Sequence, residues 1–295
     1  MKNSGMRITI IFVMAIAFAI SGQTLIQAAQ LEKGMALEEK LALLEKGHQA
    51  KIGVYALDTG SNKEISYHAD DRFAYCSTIK VLIVGALLRH ETLNGLKKTV
   101  SYNQKDVLSY APITAKHVAT GMSLEDLCSA ALRVSDNTAA NLLLAHIGGV
   151  NVLKKSLRQI GDVVTEPSRI EPMLNEAVSE DLRDTSTPRQ LAIDYQTYLL
   201  GDILPEEKKR LLFNWMSNNK VTDTLIRAGL PKEWSVVDKS GSGGYGTRND
   251  VAIITPPGRK PIILAIYTTH QGENAPIEDA LVAKTAKVVY ERLEQ

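Results

Sequence analysis

The sequence predicts an α+β fold, with a five-stranded antiparallel sheet built from both chain ends and flanked by helices, plus an inserted all-helical domain. Alternating and β-branched residues predict a hairpin of strands at 51–57 and 63–68, near the N-terminus. Three further strand-like segments lie near the C-terminus, at 234–238, 247–255 and 261–269. The apolar residues between these groups recur at helical spacing, so we expect the two ends to meet in one sheet.

Helical periodicity and start signals predict the helices one by one. Leu37, Leu41 and Leu44 recur at helical spacing, and a last helix is predicted over 277–293. Thr187 stands before a proline, which is a helix start signal. The helices predicted for the middle of the chain cover 77–92, 123–133, 136–147, 151–159, 188–200 and 206–216.

The order of these elements sets the predicted domain boundaries. Residues 30–70 and 215–295 are expected to form the sheet domain, and 71–214 the helical domain, with a cleft where the two meet. The helical domain includes a polar loop over 162–187 without periodicity. A loop of that length in a compact domain is either functional or disordered, and we expect order.

Residues 1–29 have the composition of a secretory signal peptide. Lys2 and Arg7 precede an apolar run over 8–20, and small residues follow, so we expect cleavage within 21–30. The run is shorter than the roughly 20 residues of a transmembrane helix, and a retained N-terminal anchor is the alternative. We expect a periplasmic or secreted protein without stable membrane association after cleavage.

Composition narrows the range of partners and cofactors. The net charge of +1 over 295 residues gives no electrostatic reason to expect nucleic acid, and we expect a monomer. The six histidines lack metal-ligand spacing, so we expect no metal and no cofactor. Cys76 and Cys128 are too few for a disulfide framework, and they can pair only if their Cα atoms lie close together.

Ser77 and Lys80 are a candidate nucleophile and its base. Their spacing places both side chains on one face of the helix predicted over 77–92. A lysine buried among apolar residues has a lowered pKa and can activate a serine hydroxyl. The alternative is a capping serine beside a lysine that reaches solvent. A second Ser-x-x-Lys, at Ser217 and Lys220, shows how common this spacing is.

Ser135 and Asn137 lie between two predicted helices. The serine can relay a proton to a leaving nitrogen, and the asparagine can hydrogen-bond a substrate amide. The alternative is a plain helix start, in which Ser135 or Asp136 caps the helix over 136–147.

Glu171 and Asn175 lie four residues apart in the loop over 162–187. Together they can hold one water, which the carboxylate can activate as a general base to hydrolyse an ester intermediate. We expect Arg169 to pair with Asp184, which would keep the loop ordered. The alternative is a solvated, charged loop.

Lys239, Ser240 and Gly241 follow the strand predicted at 234–238. They offer a positive charge, a hydroxyl group and room for close backbone approach. Arg248, at the start of the next strand, can add a second cation for a carboxylate. The alternative is a glycine-rich turn between strands.

Together the four blocks supply a nucleophile, proton transfer, water activation and anion binding for one acyl-transfer site. At these residues the chain resembles the class A serine β-lactamases. Further matching segments lie at 110–112, 169–176, 183–188, 226–231 and 245–250. The resemblance implies a serine β-lactamase/transpeptidase-like fold and hydrolysis of β-lactam antibiotics, penicillins and cephalosporins, which would confer resistance.

The resemblance also implies roles for individual residues. Ser77 would form the acyl-enzyme, Lys80 and Ser135 would transfer protons, and Glu171 would activate the deacylating water. Whether Lys80 or Glu171 takes the proton of Ser77 stays open. The backbone N–H groups of Ser77 and Ser242 would form the oxyanion hole. The residues expected to bind substrate are Tyr110, Asn137, Asn175, Lys239, Ser240, Ser242 and Arg248.

Two departures from the family pattern concern substrates and thiols. Ser242 occurs in members active on cephalosporins, which is the basis for expecting those substrates. Cys76 and Cys128 match halves of two different family disulfides, and the partner positions here are Gly243 and Val84. The resemblance therefore implies that both cysteines are free.

Two alternatives to the hydrolase are a penicillin-binding D-alanyl-D-alanine peptidase, which would share three of the four blocks, and a β-lactam sensor that is acylated without turnover. The peptidase lacks the loop that carries Glu171 and Asn175. The sensors usually follow a membrane-spanning segment, and none is visible in the sequence after residue 20. Glu171 is thus the residue that discriminates the hydrolase from the peptidase.

Overall fold

The computed structural model describes residues 35–217, 219 and 221–295. The predicted signal peptide and Lys220 lie outside these residues. Residues 44–295 form one compact unit, and the described part of the preceding unit is 35–43. The division of the chain into a sheet domain and a helical domain stays a prediction.

A five-stranded antiparallel sheet made from both chain ends confirms the predicted fold class. The strands are β1 (Ala50–Asp58), β2 (Glu64–Tyr67), β3 (Phe73–Ala74), β4 (Thr99–Val100), β5 (Met122–Ser123), β6 (Thr185–Ser186), β7 (Ser235–Ser242), β8 (Arg248–Thr255) and β9 (Ile262–His270). The sheet has the order β2-β1-β9-β8-β7, so β7 lies at its edge. β1 pairs with β9 from Ala50 opposite His270 to Asp58 opposite Ile262, which joins the two ends.

The predicted helices are present, with small differences at their ends. They are α1 (Leu37–His48), α2 (Lys80–His90), α3 (Leu124–Arg133), α4 (Asn137–His146), α5 (Val150–Gln159), α6 (Pro188–Leu199), α7 (Glu206–Ser217) and α8 (Asp279–Leu293). Thr187 caps α6 by accepting a hydrogen bond from the backbone of Gln190, as its place before a proline predicts. In the part of the chain that is described, every helix is too short or too polar to span a bilayer.

The helix predicted over 77–92 is the main difference. Residues Cys76–Ile79 form a 3₁₀ turn, and the α-helix begins only at Lys80. Cys76 has φ +49°, a left-handed conformation that α-helix excludes, so the helix cannot extend back through the turn. Ser77 therefore lies on a tight turn at the entrance to α2.

Helix α2 is buried along most of its length, from Lys80 to Leu88. A helix that is apolar on every side belongs in the core, and this one packs against α6. A Cβ atom at Gly85 would lie only 2.7 Å from the ring of Tyr198, so the close approach of the two helices depends on a glycine. Ser77 and Lys80 are thus anchored to a closely packed part of the core.

The polar loop over 162–187 is ordered, and the predicted pair of Arg169 with Asp184 is confirmed. Asp184 also accepts hydrogen bonds from the backbone N–H groups of Ser168 and Arg169, each at 2.9 Å. The hydroxyl of Tyr75 donates to the same carboxylate at 2.9 Å. These bonds fix the loop beside the turn that carries Ser77.

Candidate active site

Ser77 and Glu171 meet at the centre of the site. The Ser77 hydroxyl donates to Oε1 of Glu171 at 3.4 Å, across 94 residues of sequence. Ser77 is 9% exposed and Glu171 is 2% exposed, so the pair is shielded while the serine still reaches the cleft. The arrangement places a hydroxyl beside a carboxylate that can accept its proton.

Lys80 lies beneath this pair and makes several charge-assisted contacts. Its Nζ lies 3.0 Å from Oε1 of Glu171. It donates to the backbone oxygen of Ser135 at 2.8 Å and to Oδ1 of Asn137 at 2.6 Å. Burial lowers the pKa of Lys80, and the Glu171 carboxylate opposes that shift. Lys80 can therefore exchange a proton more readily than an exposed lysine.

Ser135 lies between two lysines. Its Oγ is 3.2 Å from Nζ of Lys80 and 3.1 Å from Nζ of Lys239. Ser135 has φ +59°, and the adjacent carboxylate of Asp136 accepts hydrogen bonds from the backbone N–H groups of Ile113 and Thr114. Asp136 caps α4 by accepting from the N–H of Ala139 at 2.9 Å, so Asp136 rather than Ser135 is the helix cap. The Ser135 hydroxyl is left to act as a proton relay.

Glu171 is held by two asparagines. Asn141 bonds both backbone groups of Glu171, donating to its carbonyl and accepting from its N–H at 2.9 Å each. Asn175 donates from Nδ2 to Oε2 of Glu171 at 2.5 Å. Oδ1 of Asn175 is buried without a partner among the described residues, which leaves an acceptor for a water molecule between the two side chains. The carboxylate is thus fixed in position beside Ser77.

Lys239 is fully buried below the sheet edge. Its Nζ donates to the backbone oxygen of Ser240 at 2.7 Å as well as to Ser135. Burial, together with the nearby charge of Lys80, lowers the pKa of Lys239 to about 7. Strand β7 continues past Lys239 to Ser242, so the predicted strand end at 238 is four residues too early and the block lies within a strand.

A cleft of about 270 Å³ opens above these groups. Its lining contains the predicted substrate-binding residues except Lys239, and Lys80 and Glu171 lie behind it. The lining residues are Ser77, Tyr110, Ser135, Asn137, Asn175, Val221, Ser240, Gly241, Ser242 and Arg248. The structure therefore brings the predicted site residues together around one cleft.

Some residues of the site were not predicted from the sequence. Val221 lines the cleft, and Asp279 accepts a hydrogen bond from Nε of Arg248 at 2.7 Å. Asn141 follows Asn137 by four residues, so helical spacing could have indicated that both share a face of α4. Nothing in the sequence indicated Asp279, which lies 31 residues beyond its partner.

Ser217, the serine of the second Ser-x-x-Lys match, is not among the residues that line the cleft. The Ser217 hydroxyl is exposed at the end of α7 and donates to the backbone oxygen of Phe213 at 2.7 Å. This bond within the helix gives the hydroxyl a structural partner. The spacing alone therefore did not identify the site.

Comparisons with known proteins agree on one family. A family model described as the beta-lactamase enzyme family matches residues 36–293. Beta-lactamase 3 of Bacillus cereus is 51% identical over 252 residues, covering 85% of this chain and 80% of its own. Beta-lactamase ROB-1 of Haemophilus influenzae is 49% identical over 257 residues, covering 87% and 84%. A crystal structure of a class A beta-lactamase from Clostridium kluyveri aligns with a TM-score of 0.86 and 54% identity, covering 88% of this chain and 98% of that one.

Proposed function

The chain belongs to the beta-lactamase enzyme family as a class A serine β-lactamase, and from this premise we propose how its residues hydrolyse the β-lactam amide bond. The observation that carries the proposal is the contact of the Ser77 hydroxyl with Glu171 at 3.4 Å. One carboxylate beside the nucleophile can serve both the formation and the hydrolysis of an ester on that serine.

In acylation, Oγ of Ser77 attacks the β-lactam carbonyl and its proton passes to Glu171, the acceptor nearest to it. The backbone N–H groups of Ser77 and Ser242 stabilise the oxyanion. The carbon–nitrogen bond then breaks, and the nitrogen takes a proton from the Ser135 hydroxyl. Lys80, whose Nζ lies 3.2 Å from that hydroxyl, returns the proton to Ser135 and recovers one from Glu171, 3.0 Å away, so that Glu171 is a carboxylate again before deacylation.

In deacylation, a water held between Glu171 and Asn175 attacks the ester carbonyl. Glu171 takes a proton from this water, and Oγ of Ser77 recovers its proton as the ester bond breaks. The buried amide oxygen of Asn175 supplies the second contact for the water. This step separates a hydrolase from an enzyme that stops at the acylated serine.

Substrate recognition combines charge and hydrogen bonding. We propose that Ser240 and Arg248, which line the cleft, bind the carboxylate that β-lactams carry, with Arg248 oriented by its ion pair with Asp279. The buried cation of Lys239 attracts the same carboxylate from behind Ser240. Asn137 bonds the side-chain amide of the antibiotic. Tyr110, which is 49% exposed, forms one wall of the cleft entrance. The other residues that line the cleft supply the remaining contacts with the substrate.

A steady-state assay with the chromogenic cephalosporin nitrocefin tests the hydrolase directly. We expect many turnovers per enzyme molecule and none for Ser77→Ala. One equivalent of colour followed by arrest would instead indicate a sensor or a slowly deacylating peptidase. Circular dichroism of Ser77→Ala serves as the control for folding.

We further propose that oxyimino-cephalosporins are turned over as well as penicillins. Ser242 is one of the residues that line the cleft, and its hydroxyl is the group expected to contact the substrate. Measuring kcat/KM for a penicillin and for an oxyimino-cephalosporin tests this. The same two measurements on Ser242→Ala show whether the hydroxyl contributes to the turnover of the cephalosporin. Absence of measurable oxyimino-cephalosporin turnover would end this part of the proposal.

We also propose that the protein is exported, cleaved within 21–30, and acts as a monomer in the periplasm or outside the cell, where it confers β-lactam resistance. The supporting observation is the charged start and short apolar run of the sequence. The mass of the protein recovered from the producing cells would locate the cleavage bond, and light scattering would give the oligomeric state. A mass equal to the full chain would contradict cleavage.

A further inference from the structure

We propose that Asn249 is a positioning residue for the nucleophile, because its side-chain amide holds the turn that presents Ser77. The inference rests on the proposed role of Ser77. Asn249 touches neither the cleft nor the reacting atoms, and it would act through the backbone of residues 74–77. The site residues described above do not include it.

Asn249 lies in the sheet directly behind the turn. It belongs to β8, where it pairs with Gly241 of β7 on one side and Tyr267 of β9 on the other. Its side chain is fully buried. The backbone of Asn249 is therefore held by both neighbouring strands, and its buried side chain is packed against the turn.

The contacts of this amide go to the two residues that precede Cys76. Nδ2 of Asn249 donates to the backbone oxygen of Ala74 at 2.8 Å, and a longer contact of 3.4 Å reaches that of Tyr75. A primary amide carries two N–H groups, so one side chain can serve both carbonyls. The reverse orientation would place the amide oxygen against two acceptors, which fixes the direction of the amide.

The turn needs such support because it is not a relaxed conformation. Cys76 has φ +49°, which an ordinary residue adopts only where its surroundings enforce it. The carbonyl of Tyr75 belongs to the peptide group that leads into Cys76, so holding that carbonyl limits the rotation of Cys76. The Thr78 hydroxyl holds the same carbonyl from the other side at 2.7 Å.

The neighbour of Asn249 in the sheet also touches the turn. A Cβ atom on Gly241 would lie 2.9 Å from the oxygen of Tyr75 and 3.1 Å from the backbone nitrogen of Ser77. The strand that carries Ser242 therefore packs closely against the turn. Because Gly241 and Asn249 form one cross-strand pair, the strand that carries Ser242 and the Asn249 amide contact the turn at adjacent positions.

A purely structural core position would not favour this residue. The strand neighbours Val251 and Ile253 are apolar and buried, whereas Oδ1 of Asn249 is buried without a hydrogen-bond partner among the described residues. A buried polar atom without a partner destabilises the folded state. The need for the two N–H donors of the amide at the turn explains why this unpartnered oxygen is retained in the core.

The first test is Asn249→Leu, which keeps a similar volume and removes both donors. We expect kcat/KM per folded molecule, which reports acylation, to fall by about tenfold to a hundredfold, the loss expected for a nucleophile misplaced by about 1 Å. Ser156→Ala is the matched control, because it removes a buried hydroxyl that accepts from Arg89 far from the cleft. It should lower the thermal midpoint and leave kcat/KM unchanged. An unchanged kcat/KM in Asn249→Leu would overturn the proposal.

The second test, Asn249→Asp, distinguishes positioning from packing and serves if the leucine variant does not fold. A carboxylate accepts hydrogen bonds and cannot donate to the two carbonyls, whereas a carboxylic acid donates one. The ratio of kcat/KM between Asn249→Asp and wild type should therefore rise as the pH falls. A flat ratio would refute the role. If the wild-type protein did not hydrolyse a penicillin at all, the proposed function itself would fail instead.

Discussion

Nζ of Lys80 lies 3.0 Å from Oε1 of Glu171, and both side chains are 1% exposed. A buried ion pair depends on both partners, because removal of one leaves an uncompensated charge in the core. The same carboxylate contacts Ser77 and Asn175, so the pair links the nucleophile to the water-holding residues. The protonation state of Lys80 is therefore coupled to that of Glu171.

Replacing Glu171 by glutamine should lower the pKa of Lys80. Burial lowers this pKa and the Glu171 carboxylate raises it, so loss of the carboxylate leaves burial unopposed. NMR of protein labelled with ¹³C in its lysine side chains would follow the titration. Glu176→Gln, which removes a loop carboxylate paired with Arg169, is the control. A Lys80 pKa that is equal in wild type and Glu171→Gln would contradict the coupling.

The activity on anionic substrates should fall at alkaline pH because Lys239 loses its charge. Burial lowers the pKa of Lys239 to about 7, and only the cation attracts a carboxylate. The value of kcat/KM should therefore decline as the pH rises through that region. Lys239→Arg should move the decline to higher pH, because a guanidinium stays charged. Identical alkaline limbs in the two proteins would assign the titration to another group.

A buried pair of carboxyl groups should make stability depend on pH. Asp194, in α6, and Asp162, at the start of the catalytic loop, each keep one buried oxygen without a partner among the described residues. Burial, with repulsion from Asp162, raises the pKa of Asp194 well above its usual value. The folded protein thus retains a proton that the unfolded chain releases above about pH 4.

The stability that comes from this proton is complete below about pH 4 and is lost as the pH rises towards the folded-state pKa of Asp194. Asparagine at position 194 cannot ionise, so the variant Asp194→Asn does not lose this stability. The difference in the free energy of unfolding, Asp194→Asn minus wild type, should therefore increase by up to about 1.4 kcal/mol per pH unit as the pH rises through this window. Urea unfolding at several pH values measures the difference. The exposed substitution Asp202→Asn should show no such trend. A constant difference between Asp194→Asn and wild type would refute the retention of a proton by Asp194 in the folded state.

Local sequence patterns were sufficient for most of the fold. The apolar spacing that predicts α2 reflects a helix buried on every side. Strand β1 was predicted from alternation, and the structure shows it buried on both faces from Ile52 to Ala56. The turn at Cys76–Ile79 was missed because its left-handed residue is a cysteine, which carries no turn signal. Such a conformation is imposed by neighbours distant in sequence, including Asn249.

The candidate site was predictable where one short block carries the chemistry, as at Ser77 and Lys80. It was not predictable where a residue acts by holding another from a distant segment. Asn141 supports Glu171 across 30 residues, and Asp279 pairs with Arg248 across 31. Helical spacing indicates that Asn141 shares a face with Asn137, but tertiary packing decides its contact with Glu171 and the contact of Asp279 with Arg248.

Both cysteines are free and buried, and they should be titrated as two thiols in the denatured, unreduced protein. Burial raises the pKa of Cys76 and of Cys128, so reaction in the native protein should be slow because little thiolate forms. A thiol reagent added with and without denaturant measures both expectations. No free thiol after denaturation would show that the two are paired.

The central claim is that Glu171 makes this site hydrolytic, and the mass of Glu171→Ala after exposure to a penicillin tests it most directly. Without the carboxylate the water between residues 171 and 175 loses its base, whereas Ser77 can still attack with help from Lys80. We predict that intact mass spectrometry finds one covalent adduct per molecule, that peptide mapping places it on Ser77, and that Ser77→Ala/Glu171→Ala shows none. Unaltered turnover by Glu171→Ala, with no adduct, would contradict the account.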